Sequence, residues 1–413
     1  MSKPALRLIV LLASLLLPPA NSMADPVEPL DPPRRATLSG ELALEMRAYL
    51  ESPAYANQDT QRLIPSARFE PRLVTEIPEI GNARLTLQPR LRWDALNHHS
   101  GVDVLEANLL WIGQDWDFVA GIDRRFWGVT ESRNPVDILN QIDWVDGPDS
   151  QGRLGQPMLN LNRLWPQSQL GLFILPRFVP RDFGKTGARL QGPFAIDSNP
   201  LYASRRGADR IDFALRYTHT LGPADVGITY FDGTRRDPRF RPRIDSATGT
   251  VILTPYYEQI TQWGLDLQFV RGPWQWKLEA ITQDGEEGRY QATVGGFEYA
   301  WSDFAGSRMD LGLLAEYLYD GDPGTMPAPV FDDDLFLGLR LTFNDTRDSR
   351  LLLGAVVDRN HRSTALGIEG QRRLSRQWRI DLDSRLLFNV AEEDPLNFVA
   401  RDSYVKLRLG YFF

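Results

Sequence analysis

Trp378-Arg379-Ile380-Asp381-Leu382-Asp383-Ser384-Arg385-Leu386-Leu387-Phe388 alternates apolar with charged residues over most of its length. Trp378, Ile380, Leu382, Leu386 and Phe388 share one parity, and Arg379, Asp381, Asp383 and Arg385 share the other. Successive side chains of a strand point to opposite faces, so the segment has one apolar and one charged face. The C-terminus repeats the pattern: Val405, Leu407, Leu409, Tyr411 and Phe413 alternate with Lys406, Arg408 and Gly410. Nearer the start, Leu85, Leu87, Leu91 and Trp93 alternate with Thr86, Gln88, Arg90, Arg92 and Asp94.

The same alternation marks eighteen segments, from 38–50 to 401–413. Their connections alternate in length, apart from a few short ones after odd-numbered strands such as 284–288 and 359–361. Gly113-Gln114, 165–168, Leu221-Gly222-Pro223 and Arg271-Gly272-Pro273 follow even-numbered strands and are tight. The connections 51–65, 126–156, 177–207, 231–259 and 320–333 follow odd-numbered strands and are long. A wrong strand count would break this parity midway. It predicts an all-β fold, a transmembrane antiparallel up-and-down β-barrel of about 18 strands, with 16 if 66–77 or 157–164 and a neighbour prove irregular. A soluble sandwich shows alternation too. Against it stand the many charges on the wet faces and the aromatic residues at both ends of the apolar faces. A sheet in lipid has to close, because unpaired backbone groups find no water there.

Composition agrees. The chain has 413 residues, is 42% hydrophobic and has 11 Trp, and past the N-terminus no apolar run is long enough for a spanning helix. There is no Cys, which excludes disulfides, thiolate metal sites and a cysteine nucleophile. The net charge of -8 argues against a nucleic-acid partner. Lys3 and Arg7 precede the apolar run 8–17, Pro18-Pro19 ends it, and Ser22-Met23-Ala24 supplies small residues for cleavage. Residues 1–24 therefore read as a secretory signal peptide, 25–36 as a flexible leader and 37–413 as the barrel.

Gly410-Tyr411-Phe412-Phe413 resembles the aromatic C-terminus that outer-membrane barrels present to their assembly machinery. The signal, this ending and the long connection after the fifth strand resemble Gram-negative porins. Phe126-Trp127-Gly128, Asn134-Pro135-Val136-Asp137, Gly296-Phe297-Glu298-Tyr299, Asp310-Leu311-Gly312-Leu313-Leu314, Glu316-Tyr317, Asp333-Asp334 and Gly338-Leu339-Arg340 resemble an uncharacterised proteobacterial barrel family loosely akin to the alginate-export type. The resemblance implies passage of a solute across the outer membrane and does not name the solute; the function expected is a porin-like channel that passes small polar solutes by diffusion. Its implied partners are membrane lipid and lipopolysaccharide, the assembly machinery through Phe413, and a homotrimer as in many porins. It brings no catalytic residue and no cofactor.

Connection 126–156 is the one expected to fold inward, where Glu131, Asp137, Asp143, Asp146 and Asp149 would narrow the lumen. The alternative is a loop that covers only the mouth. Arg47, Arg68, Arg72, Arg90, Arg92, Arg340, Arg379, Arg385, Lys406 and Arg408 fall on the wet faces and are expected to line the wall. Acidic loop against basic wall would set a transverse field at a constriction, and the Arg ladder would favour anions or carboxylate-bearing solutes. The plainer alternative is that these charges pair across strands and fill the wall. The connections 177–207 and 231–259 are rich in Arg. No metal centre is expected: His98-His99 reads as a solvated pair, and Asp332-Asp333-Asp334 reads more simply as a loop edge than as a weak Ca²⁺ site. A non-conducting structural or adhesive barrel, or an outer-membrane enzyme using a Ser near His219, stays open as an alternative.

Overall fold

A computed structural model describes residues 36–95, 99–147, 152–185, 187–246, 249–324 and 326–413. The signal peptide, nearly all of the leader, His98 and Asp149 lie outside the described residues.

Eighteen antiparallel strands form one closed sheet. In chain order they are β1 Ala36–Tyr49, β2 Leu63–Ile77, β3 Ala83–Asp94, β4 His99–Ile112, β5 Trp116–Asp123, β6 Gln156–Trp165, β7 Ser168–Leu175, β8 Asp212–Leu221 and β9 Ala224–Thr234. There follow β10 Gln259–Arg271, β11 Trp274–Gly285, β12 Gly288–Trp301, β13 Asp310–Asp320, β14 Asp333–Thr342, β15 Arg350–Asp358, β16 Thr364–Arg373, β17 Trp378–Phe388 and β18 Tyr404–Phe412. Each strand pairs with its neighbour in the chain, and β18 pairs with β1 in register from Glu41 opposite Phe412 to Tyr49 opposite Tyr404. Closure pairs the backbone throughout and leaves no edge.

The eighteen expected segments all appear, shifted by a few residues at their ends. Connections on one rim are short. Gly222-Pro223 and Gly272-Pro273 are two-residue hairpin turns, with glycine φ of 62° and 59° ahead of a proline. That is the sequence a type II′ turn requires. The long connections meet at the other rim. Two of them were expected to be plain loops, and this is corrected: Ala195–Ile196 and Leu201–Tyr202 run parallel to Val251–Tyr257, which pairs antiparallel with Arg239–Ile244. The two Arg-rich connections thus join into a small sheet apart from the barrel wall.

The outer face is apolar. Leu42, Leu44 and Met46 on β1 and Leu335, Leu337 and Leu339 on β14 are exposed there. Exposed Trp111, Trp116, Trp165, Trp274, Trp301 and Trp378 ring the short-turn rim, while Trp93, Trp263, Tyr317 and Tyr319 lie toward the other. The inner face carries Glu45, Arg47, Arg90, Arg92, Asp123, Asp266 and Glu279, all shielded inside the barrel.

One irregularity positions charge. Between β3 and β4 the register shifts at Gln88 and Pro89: Gln88 faces Glu106, Pro89 faces Val104, and Leu105 is the extra residue. Proline has no N–H to give the ladder, so a bulge is where a strand tolerates it. The extra residue also inverts the parity of β4, which brings Asp103 and Glu106, three positions apart, both to the inner face.

Candidate functional site

The connection from β5 to β6, residues 124–155, runs inside the barrel. Two wall carboxylates outside the expected site residues hold its first half. Glu279 on β11, fully buried, accepts from the backbone N–H of Val129 at 2.7 Å and of Thr130 at 3.0 Å. It also accepts from Thr130 Oγ1 at 2.8 Å and Asn134 Nδ2 at 2.9 Å. Glu316 on β13 accepts from the N–H groups of Glu131 and Ser132, both at 2.8 Å, and from Ser132 Oγ at 2.6 Å. A carboxylate receiving several N–H groups satisfies a buried turn that water cannot reach.

The second half of the loop is held from nearly the opposite side of the ring. Asp143 takes Arg90 Nη1 at 2.8 Å and also bonds Arg92, both from β3. Asp146 takes Arg68 Nη1 from β2 at 3.0 Å, and its carbonyl accepts from Arg47 Nη2 at 2.6 Å. Burial works to raise the Asp146 carboxyl, but Arg68 and Arg92 outweigh it and hold the group well below the usual carboxylate range. With β11 and β13 at one end and β1, β2 and β3 at the other, the loop crosses the lumen.

Of the four described loop acids, Glu131 reaches a third part of the wall, with Oε2 2.6 Å from Arg340 Nη2 on β14. Asp137 reaches none. It pairs with Arg153 of the same loop at 2.6 Å and accepts the Trp127 N–H at 3.2 Å. Burial pushes its carboxyl up against the pull of Arg153.

The crossing divides the interior. On the side of β6 to β12, Trp127, Val136, Ile138 and Leu139 of the loop pack on inward Met158, Phe173, Leu175, Ala214, Phe231, Ile260, Ile281 and Ala292. The long-connection end of that half is an apolar core, closed further by Arg236, whose guanidinium binds the Leu139 carbonyl at 2.9 Å and Asp212 at 2.9 Å. On the side of β14 to β18 a cavity of about 360 Å³ remains. Its lining has five acidic residues, Glu45, Glu131, Glu369, Asp381 and Asp383, and five basic ones, Arg68, Arg340, Arg350, Lys406 and Arg408.

Every wall candidate therefore has a location and a partner. Arg72 pairs with Glu106 at 3.2 Å, and Arg90 also takes Asp103 at 2.8 Å. Arg340 bridges Glu131 and Glu298. Arg379 pairs with Asp381 at 2.8 Å, Arg385 with Glu369 at 2.9 Å, Lys406 with Asp383 at 3.0 Å and Arg408 with Glu41. Arg47 sits 4.6 Å from the Tyr404 ring centre besides holding Asp146. His219 lies opposite Ser168 in the register between β7 and β8, and its Nδ1 is 3.1 Å from Tyr217 Oη in an exposed position.

No family model and no curated protein matches the chain. A substituted porin of Rh. blastica aligns at 13% identity and a TM-score of 0.44, covering 92% of this chain and 100% of its own. A loop-deletion mutant of OmpT, an outer membrane protein of Vibrio cholerae, aligns at 9% identity and a TM-score of 0.46, covering 92% of this chain and 99% of its own.

Proposed function

We propose that the barrel spans the bacterial outer membrane and passes small polar solutes by diffusion, through the charged part of a lumen that the inner loop narrows. The location rests on the apolar outer face, its aromatic rims and a fully closed sheet, the arrangement a bilayer demands of strands. The observation that carries the conduction reading is the division of the interior. One side is plugged by an apolar core where the loop packs on it, and the other keeps a cavity of about 360 Å³ walled by charge. A wall of that chemistry stays wet, and rings of charge govern what crosses it.

Five acids against five bases leave the lining without net charge. This balance supports passage of neutral polar or zwitterionic solutes with weak ion preference, in place of a strong preference for anions. The test is conductance of the purified, refolded protein in a planar bilayer under a salt gradient. Stable current steps with a small reversal potential are expected. Absence of steps from protein shown to be folded and inserted would overturn the open-channel reading.

A further inference from the structure

The long-connection rim gathers a second set of carboxylates that conduction does not use. Asp334 on β14 stands opposite Asp358 of β15 in the register. Asp394, in the connection from β17 to β18, precedes the short helix Pro395–Val399. One ligand atom each of Asp358, His361 and Asp394 lie within 4.8 Å of one another.

Their oxygens are not equally occupied. Asp358 Oδ1 accepts from the N–H groups of Asn360 and His361, and its Oδ2 is 2.9 Å from His361 Nδ1. Asp394 Oδ1 caps the short helix by accepting from the Leu396 N–H at 2.7 Å. Asp394 Oδ2 and Asp334 Oδ2 are both buried and have no hydrogen-bond partner. Asp334 is 1% exposed and Asp394 3%, and among the described residues no Lys or Arg forms an ion pair with either. Asp358 and Asp394 both lie near enough to repel Asp334. Buried carboxylates without a cation are a costly arrangement, since such groups are ordinarily paired or bound to metal.

We propose that Asp334, Asp358 and Asp394 bind a hard divalent cation, Ca²⁺ or Mn²⁺, with His361 orienting Asp358. Oxygen donors suit these ions. At Ca²⁺–oxygen distances of about 2.4 Å, ligand atoms on opposite sides of one ion stand about 4.8 Å apart, so the span of Asp358, His361 and Asp394 fits around a single ion, and Asp334 adjoins that group through its register with Asp358. A histidine hydrogen-bonded to a ligating carboxylate is a familiar outer partner. The bound ion fastens the β17–β18 connection to the ends of β14 and β15. The inference is independent of whether the lumen conducts.

The experiment uses the folded full-length barrel in detergent, stripped with EDTA and desalted, then titrated calorimetrically with CaCl₂ and separately with MnCl₂. Saturable binding of one ion per chain is expected, together with a higher unfolding temperature when it is bound. Asp394→Asn keeps the oxygen that caps the helix and should fold. It should weaken binding at least tenfold, as should Asp334→Asn, whereas Asp303→Asn on the opposite rim should leave it unchanged. Absence of saturable binding by either ion, or equal binding in the Asp394 and Asp334 variants, overturns the proposal.

Discussion

Glu131 Oε2 and Arg340 Nη2 stand 2.6 Å apart, which joins the inner loop to a strand that follows it by 209 residues. The pair sits at the edge of the charged cavity and is one of the acid–base pairs that balance its lining. Glu131→Gln removes one negative charge there and leaves the guanidinium to Glu298 alone. The expected outcome is a shift of the reversal potential toward anions, with Arg340→Gln moving it toward cations. Both are read in the same bilayer assay, and identical potentials in the two variants would detach the pair from the conduction path.

Glu279 holds several donors of the loop at once. Glu279→Ala leaves those N–H groups buried and unbonded, at a cost on the order of 3 kcal/mol, since contacts sharing one carboxylate do not add. A lower unfolding midpoint and noisy, larger current steps are expected. Unchanged traces would mean that the loop holds its place without this anchor.

Asp143 neutralises Arg90 and Arg92, all three buried. Breaking such a group by removing one partner costs about 3–5 kcal/mol, because uncompensated charge stays inside. Asp143→Asn should therefore destabilise more than Arg92→Met/Asp143→Asn together. Denaturant midpoints of the single and double variants check this.

Gly264 on β10 faces the apolar core of the lumen, and a Cβ there would lie 2.4 Å from Thr229 Oγ1 and 3.2 Å from Val136 Cγ1. Gly264→Val should push Val136 and its loop aside and cost about 1–3 kcal/mol. Protease cleavage within residues 124–155 should increase.

Asp402 bonds Arg189, which is fully buried, at 2.9 Å. Burial pushes the Asp402 carboxyl up to about 6, against the pull of Arg189 and Gln58. The unfolded chain releases this proton near pH 3.9. Between the two values the folded protein binds more protons, so stability from this group is full below about pH 4 and is lost as pH rises through about 6. Asp402→Asn should flatten that slope, as measured by unfolding midpoints across the window.

The barrel was legible because alternation such as that of 378–388 survives residue by residue. The inner loop was harder. Its acids stood out as charges, but Glu279 and Glu316 look like any wet-face residue, and nothing local says that they receive backbone N–H groups 140 or more positions earlier in the chain. A usable signal lay in the strands themselves. Phe173, Leu175, Phe231 and Ile281 are apolar on the inward parity. A wall meant only for water has no use for them, so apolar residues on both faces of a barrel strand mark where something packs inside. Leu105 shows the opposite failure: one extra residue inverts a face, and strict period-2 reading then sends Asp103 or Glu106 the wrong way.

The loop that joins β11 and β13 to β1, β2 and β3 also has a mechanical meaning. A wide ring of strands flattens easily, since bending it breaks no hydrogen bond. A strut fixed near both ends of one diameter resists that flattening, so the cross-section keeps its shape under lateral pressure from the surrounding lipid. Cutting the strut would soften the whole ring, including strands that never touch it.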